Sequence, residues 1–133
     1  MASCSRVLAL SALVLAGVAG CGGDGEDGIE EAELRACLAD DGIEVDSAFG
    51  GSGLVPGAAA PDFRAVSRHE RMDVTVESSE ERARRRAADI RSALVTYGVS
   101  NPDRRLLTGR NAIVLFDRDP DRGTAAAIRD CLE

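Results

Sequence analysis

Apolar positions recur with helical spacing in three parts of the chain. They predict helices over residues 28–41, 79–97 and 120–132. The clearest stripe belongs to the second helix, where steps of four, three, four and three residues separate its apolar members: Ala83, Ala87, Ile90, Leu94 and Tyr97. Glycines at positions 42 and 98 follow the first two helices and are typical C-terminal stops. The dipeptide at 119–120, Asp-Pro, is typical of a helix start and opens the third.

Other segments alternate with a period of two and predict strands. In the segment 72–78, Met72, Val74 and Val76 lie on one face and polar residues on the other. Residues 43–46 and 104–108 predict shorter strands. The run 112–116 (AIVLF) is apolar throughout, which indicates a central strand that is buried on both faces.

Glycine and proline break every period between residues 47 and 70, so this segment predicts a long surface loop. The predicted elements follow one another in the order α-β-β-α-(β)-β-α. The strand in parentheses is residues 104–108, whose pattern is the weakest of the set. We therefore expect one small α+β domain over residues 29–133, with a sheet of three or four strands and its helices packed on one face. The element order resembles a ferredoxin-like sandwich with shifted termini.

Charge is distributed unevenly along the 133 residues. The chain has 16 basic residues, all arginine, against 23 acids, for a net charge of −7. Residues 21–46 hold ten of the acids and one arginine, whereas the rest is nearly balanced. An acidic chain argues against nucleic-acid binding, so we expect no such partner. Residues 21–28 read as a flexible acidic tether.

The N-terminus has the layout of a secretory signal. Arg6 precedes an uncharged apolar run at 7–18, and small residues follow at 19–20. This run of twelve residues is too short for a stable membrane-spanning helix. We expect residues 1–20 to be a signal peptide that directs the protein out of the cytoplasm.

The segment Val18-Ala19-Gly20-Cys21 resembles the lipobox of bacterial lipoproteins. The resemblance implies that Cys21 is lipidated and becomes the first residue of the mature chain. The membrane is then a partner through the lipid, and the protein lies on the extracytoplasmic side of the cell membrane, with an outer membrane left open. An ordinary signal peptide cut near Gly20 is the alternative. Over residues 22–133 the chain resembles small bacterial lipoproteins without an assigned activity.

Two cysteines remain if Cys4 leaves with the signal peptide and Cys21 carries lipid. Cys37 and Cys131 then form an even pair in an oxidising compartment, and we expect a disulfide between the first and last helices. A redox-active pair or a zinc site is the competing interpretation. Redox-active pairs and zinc sites usually have cysteines in C-x-x-C spacing, which Cys37 and Cys131 do not have. The single histidine, His69, does not complete a set of zinc ligands.

Few residues in the sequence indicate metal binding or catalysis. The acidic run 117–121 opens like a calcium loop, but Arg122 and Ile128 stand where such a loop needs glycine and glutamate. We therefore expect no metal and no cofactor. His69 lies beside the long loop and would need a partner such as Asp62 or Glu70 to act in catalysis.

Four arginines on the second helix form a basic cluster: Arg82, Arg84, Arg85 and Arg86. Glutamates four residues before two of them favour an exposed, salt-bridged face. The alternative is contact with an acidic protein partner or with anionic lipid. The sequence favours a non-catalytic binding or accessory module at the cell envelope. A small enzyme with its site around residues 47–70, and a purely structural envelope protein, are the alternatives.

Overall fold

The fold has three helices and five strands in the part of the chain that a computed structural model describes, residues 28–46, 51 and 53–133. One 3-10 turn, Pro102–Arg104, precedes the fourth strand. In chain order the elements are α1 Glu31–Asp40, β1 Glu44–Asp46, β2 Phe63–Ser67, β3 Glu70–Val76, α2 Glu80–Thr96, β4 Leu106–Gly109, β5 Ala112–Phe116 and α3 Arg122–Leu132.

The five strands form one antiparallel sheet in the order β1-β2-β3-β5-β4. Tight turns join β2 to β3 and β4 to β5. Each turn contains an arginine with a positive backbone φ, Arg68 at 53° and Arg110 at 50°. Because β5 lies between β3 and β4, the unit β3–α2–β4 is split by a strand that comes later in the chain.

Helices cover both faces of the sheet. In β5, Val114 and Phe116 join the core shared with α1 and α3, whereas Ile113 and Leu115 join the core shared with α2. The prediction that 112–116 is buried on both faces is confirmed. The expectation that all helices pack on one face is wrong, because a strand that is apolar on both sides needs cover on both sides.

The sheet also has more strands than the three or four expected. The additional strand is β2, which lies inside the segment 47–70 and pairs with both β1 and β3. Only Phe63 and Ala65 of this strand are fully buried, so its alternation is short and begins two residues after Pro61. The α+β class is confirmed. Of the ferredoxin-like features, the split β3–α2–β4 unit is present, but its helix and α3 lie on opposite faces.

The disulfide between Cys37 and Cys131 joins α1 to α3, as predicted, with 5.8 Å between the two Cα atoms. Leu34 and Leu38 of α1 and Ile128 of α3 are completely buried beside it. The covalent link therefore connects two helices that already share one core.

Helix α3 begins two residues later than its sequence predicts. The cap is Asp121 rather than Asp119, and its carboxylate accepts hydrogen bonds from the backbone N–H and the hydroxyl of Thr124 at 2.9 and 3.0 Å. These bonds lower the pKa of Asp121. Asp119 is instead taken up by ion pairs to Arg104 and Arg105.

Candidate functional site

The arginines predicted as a contact surface lie on α2, and each has a carboxylate partner. Two of them, Arg84 and Arg85, are exposed and pair along the helix with Glu80 and Glu81. Salt bridges this exposed contribute little to stability, so the outer face of α2 is a solvated surface of mixed charge. Whether it contacts a partner or lipid stays a prediction.

The other two arginines meet at Glu77, directly after β3. Its carboxylate accepts from Arg86 at 2.7 Å and from Arg82 at 3.5 Å. The hydrogen bond from Arg86 is the main cause that lowers the pKa of Glu77. The second Nη atom of Arg86 also donates to the carbonyls of Ala59 and Ala60, both at 3.0 Å. One guanidinium thus joins a strand end, a helix and a loop.

This loop, residues 53–61, forms a groove with α2. The groove has a volume of about 710 Å³, and the residues that line it include Val55, Pro56, Arg82, Arg85 and Ile90. Its walls are therefore apolar on the loop side and charged along the helix. Three of the four predicted arginines, Arg82, Arg85 and Arg86, line this groove.

The start of the loop is held against the sheet by a buried carboxylate. Asp73 of β3 is only 6% exposed and accepts from the backbone N–H of Leu54 and from Arg64, whose Nη2 lies at 3.0 Å. Val55 is 4% exposed and packs into the core beside α2. Leu54 and Val55 therefore pack against that core, whereas residues 56–60 are exposed, as the predicted surface loop implies.

The residues nominated for catalysis are not brought together. His69 is exposed in the turn between β2 and β3. Asp62 lies at the other end of the same hairpin, where its carboxylate accepts from the backbone N–H of Val76 at 2.6 Å. Because strands rise about 3.4 Å per residue, the five residues of β2 place them roughly 17 Å apart. The carboxylate of Glu70 is buried and accepts from the backbone N–H of Asp121 at 2.6 Å.

One group in the described part of the chain has metal-ligand types within reach of each other: Cys37, Asp41 and Cys131. Its two sulfurs form the disulfide, so they are not thiolate ligands. In the acidic run 117–121, Asp117 accepts from the backbone N–H of Arg71 at 3.0 Å. The other two aspartates of the run have the roles given above: Asp119 forms ion pairs, and Asp121 caps α3. The carboxylates of the run therefore stabilise the connection between β5 and α3.

A second basic cluster was not apparent from the sequence. Arg104, Arg122 and Arg129 line an open cleft of about 350 Å³, together with Pro120 and Ala125. Arg122 and Arg129 have no ion pair or hydrogen bond to their side chains within the described ranges. The helical spacing of 122 and 129 could have marked them, but Arg104 joins them only through the fold.

A further polar contact holds the start of the described chain. Asn111, which is 7% exposed, accepts from the backbone N–H of Ile29 at 2.6 Å. Its amide donates to the carbonyls of Ile29 at 3.1 Å and Glu77 at 2.6 Å. Arg110 donates to the carbonyl of Gly28 at 3.1 Å. The turn between β4 and β5 therefore clamps the chain where the predicted tether ends.

Cys21 and the predicted signal peptide lie outside the described residues. Within residues 28–46, 51 and 53–133, no helix is both long enough and apolar enough to cross a bilayer. No family model, no curated protein and no solved structure matches the chain.

Proposed function

We propose that this chain is a lipid-anchored protein on the extracytoplasmic side of the cell membrane, and that its domain is a non-catalytic binding or accessory module. The observation that carries the location is the Cys37–Cys131 disulfide. Disulfides persist in oxidising compartments and are rare in the cytosol, so the bond supports export. Export is what the signal-like residues 1–20 imply.

Attachment through Cys21 leaves only a short tether between the lipid and the domain. Two acyl chains suffice for stable anchoring, because each buried CH₂ contributes about 0.8 kcal/mol. The seven residues from Cys21 to Asp27 can span at most about 25 Å when fully extended. The clamp at Asn111 begins with the next two residues, so little further chain is free. The domain is therefore held close to the membrane surface.

A binding role is supported by the groove between α2 and residues 53–61. All members of the arginine cluster except Arg84 line this groove. The proposed contacts for an acidic protein partner or anionic lipid are the whole cluster: Arg82, Arg84, Arg85 and Arg86. A non-catalytic role is favoured because the nominated acid–base pair, His69 and Asp62, is separated along the hairpin.

The anchor is tested by the intact mass of the full chain expressed in a bacterium. We expect a mature chain that starts at Cys21, carries two or more acyl chains and lacks the two hydrogens of the disulfide. The Cys21→Ala variant should keep its N-terminal segment and carry no lipid. Cys4→Ala is the matched control and should be processed normally. Wild-type protein that retains Met1 or carries no lipid would overturn the proposal.

The contact surface is tested with Arg84→Gln/Arg85→Gln, because these two side chains are exposed and do not hold the loop. If the surface binds anionic lipid, a chain that starts at residue 22, and so has neither lipid nor signal peptide, should co-sediment with phosphatidylglycerol vesicles, and the double variant of this chain should do so less. Arg91→Gln/Arg118→Gln, at two exposed positions with no proposed contact, is the control with the same loss of charge. Equal co-sedimentation of all three proteins would exclude lipid contact by α2.

A further inference from the structure

We propose that the cleft formed by Arg104, Arg122 and Arg129 binds a phosphate-type anion, namely the phosphate or diphosphate group of a water-soluble molecule. The cleft has a volume of about 350 Å³, and every charged side chain that lines it is an arginine. The proposal concerns a site separate from the α2 groove. The inference that the ligand is a soluble molecule rests on the membrane anchor proposed above.

The spacing of the three arginines suits a multiply charged anion. Arg122 and Arg129 are seven residues apart on α3, which is two turns or about 10 Å along the helix axis. Ala125 lies between them in the sequence and lines the cleft, while Arg104 belongs to the 3-10 turn Pro102–Arg104. A guanidinium offers planar pairs of N–H donors that match phosphate oxygens, so two long side chains can converge on one group.

The balance of charge distinguishes this cleft from the arginine cluster on α2. Each of the four arginines in that cluster has a glutamate within ion-pair distance. In the cleft, the one carboxylate described within this distance is that of Asp119, which lies 3.6 Å from Arg104. Asp119 is shared with Arg105 at 3.4 Å. Three positive charges of the cleft therefore face at most one shared negative charge, which favours an external anion.

The backbone at the start of α3 is already occupied. The N–H of Asp121 donates to Glu70, and the N–H of Thr124 donates to the side chain of Asp121. The anion would therefore be held by guanidinium groups rather than by the free N–H groups of a helix end. This makes the arginine side chains the groups to change in a test.

The position of the cleft selects the source of the anion. Strand β5 starts beside the clamp that holds Gly28 and Ile29, and it ends at Phe116, close to the residues that lead into the cleft. The start of α3 is therefore at the end of the sheet away from the tether. With Cys21 lipidated, that end is the one farther from the anchored segment, which favours a dissolved phosphate compound over a lipid headgroup.

The test is calorimetric titration of the full chain, purified in a non-ionic detergent, with inorganic phosphate and with pyrophosphate. We expect saturable binding at one site. Hydrogen bonds to charged groups contribute about 1.5–3 kcal/mol, so each of Arg122→Gln and Arg129→Gln should weaken binding about tenfold or more. The Arg91→Gln variant on α2 loses the same single charge at an exposed position outside the cleft, and it should bind as the wild type does.

Two further variants keep the result clear. Arg122→Lys/Arg129→Lys keeps the charge but not the paired donors, and it should bind more weakly than wild type and more tightly than Arg122→Gln/Arg129→Gln. Unchanged unfolding midpoints show that the variants fold. No saturable binding, or an equal loss in the α2 variant, would overturn the site. Arginine-dependent binding to phosphatidylglycerol vesicles without binding to pyrophosphate would overturn the soluble source. Failure of the anchor is recognised separately, from the intact mass.

Discussion

At the scale of single residues, a few buried or half-buried polar side chains connect segments that are distant in sequence. Asp73 ties residues 53–61 to the sheet, Asn111 ties residues 28–29 to it, and Arg86 joins a loop to a strand end. These roles could not be predicted from the sequence. Each depends on which backbone groups the fold leaves unpaired nearby, and the residue type alone does not reveal that.

Asn111→Ala should destabilise the domain. The substitution removes one acceptor and two donor contacts, and it leaves backbone groups of Ile29 and Glu77 without those partners. Each buried group left unpaired costs about 1–3 kcal/mol, so we expect a total loss of about 2–4 kcal/mol in denaturant unfolding. Asn101→Ala, at an exposed position with no side-chain cap bond, is the control and should stay within about 0.5 kcal/mol. A loss equal to that of the control would show that the clamp does not contribute.

Glu77 should make stability depend on pH in the acid range. Its pKa is lowered below the usual 4.5, chiefly by the hydrogen bond from Arg86, so the charged form favours the folded state. This contribution is complete above the unfolded value and is lost as the pH falls through the lower, folded value. Glu77→Gln should therefore be less stable than wild type at neutral pH, and the difference should shrink at an acid pH well below the usual 4.5.

The measurement is the free energy of unfolding at the two pH values. Glu81→Gln removes an exposed pair on α2 and is the control, for which we expect a small difference at both. A Glu77→Gln difference that is the same at neutral and acid pH would contradict the assignment.

At the scale of elements, the helices were predictable and one strand was not. The stripes of α2 and α3 extend over two turns or more, and that of α1 over about one. Of the five predicted stripe positions of α2, the first four are buried and Tyr97, at the end of the helix, is exposed. Strand β2 places two apolar residues in the core, which is too short an alternation to separate it from the glycine- and proline-rich segment around it. Short elements of this kind are defined by their pairing partners.

Arg86→Ala should loosen residues 53–61 without unfolding α2. The guanidinium supplies two bonds to the carbonyls of Ala59 and Ala60 and one to Glu77, and nothing in alanine replaces them. We expect faster amide hydrogen exchange at positions such as Leu54 and Ala58, with little change in the middle of α2. Arg84→Ala is the matched control because that side chain is exposed and pairs only along the helix. Equal exchange in both variants would contradict the role of Arg86.

At the scale of the whole molecule, the α+β class and the disulfide followed from the sequence, but the layering did not. A strand buried on both sides already required helices on both faces, and the sequence prediction did not carry this requirement through. The arginines illustrate the same limit. The cluster on α2 is contiguous and visible in the sequence, whereas the cleft needs the 3-10 turn and α3 to meet.

Removal of the disulfide should cost much of the domain's stability. The bond closes a loop of 94 residues, for which the chain-entropy estimate is on the order of 4–5 kcal/mol. The Cys37→Ala/Cys131→Ala variant should lose about that amount in denaturant unfolding, while the core between α1 and α3 keeps the fold. Wild-type protein under reducing conditions should show a similar loss in its free energy of unfolding. A loss below about 1 kcal/mol would contradict the expectation.

The same bond determines what happens when the chain is nicked. Any single proteolytic cut between residues 38 and 130, such as one at the exposed turn of Arg68 and His69, leaves two fragments that share one covalent bridge. Both pieces then stay attached to whatever holds the N-terminus. Shedding from a surface therefore requires a cut before Cys37, or cleavage and reduction together, so oxidised and reduced surroundings would give the nicked molecule different lifetimes on its support.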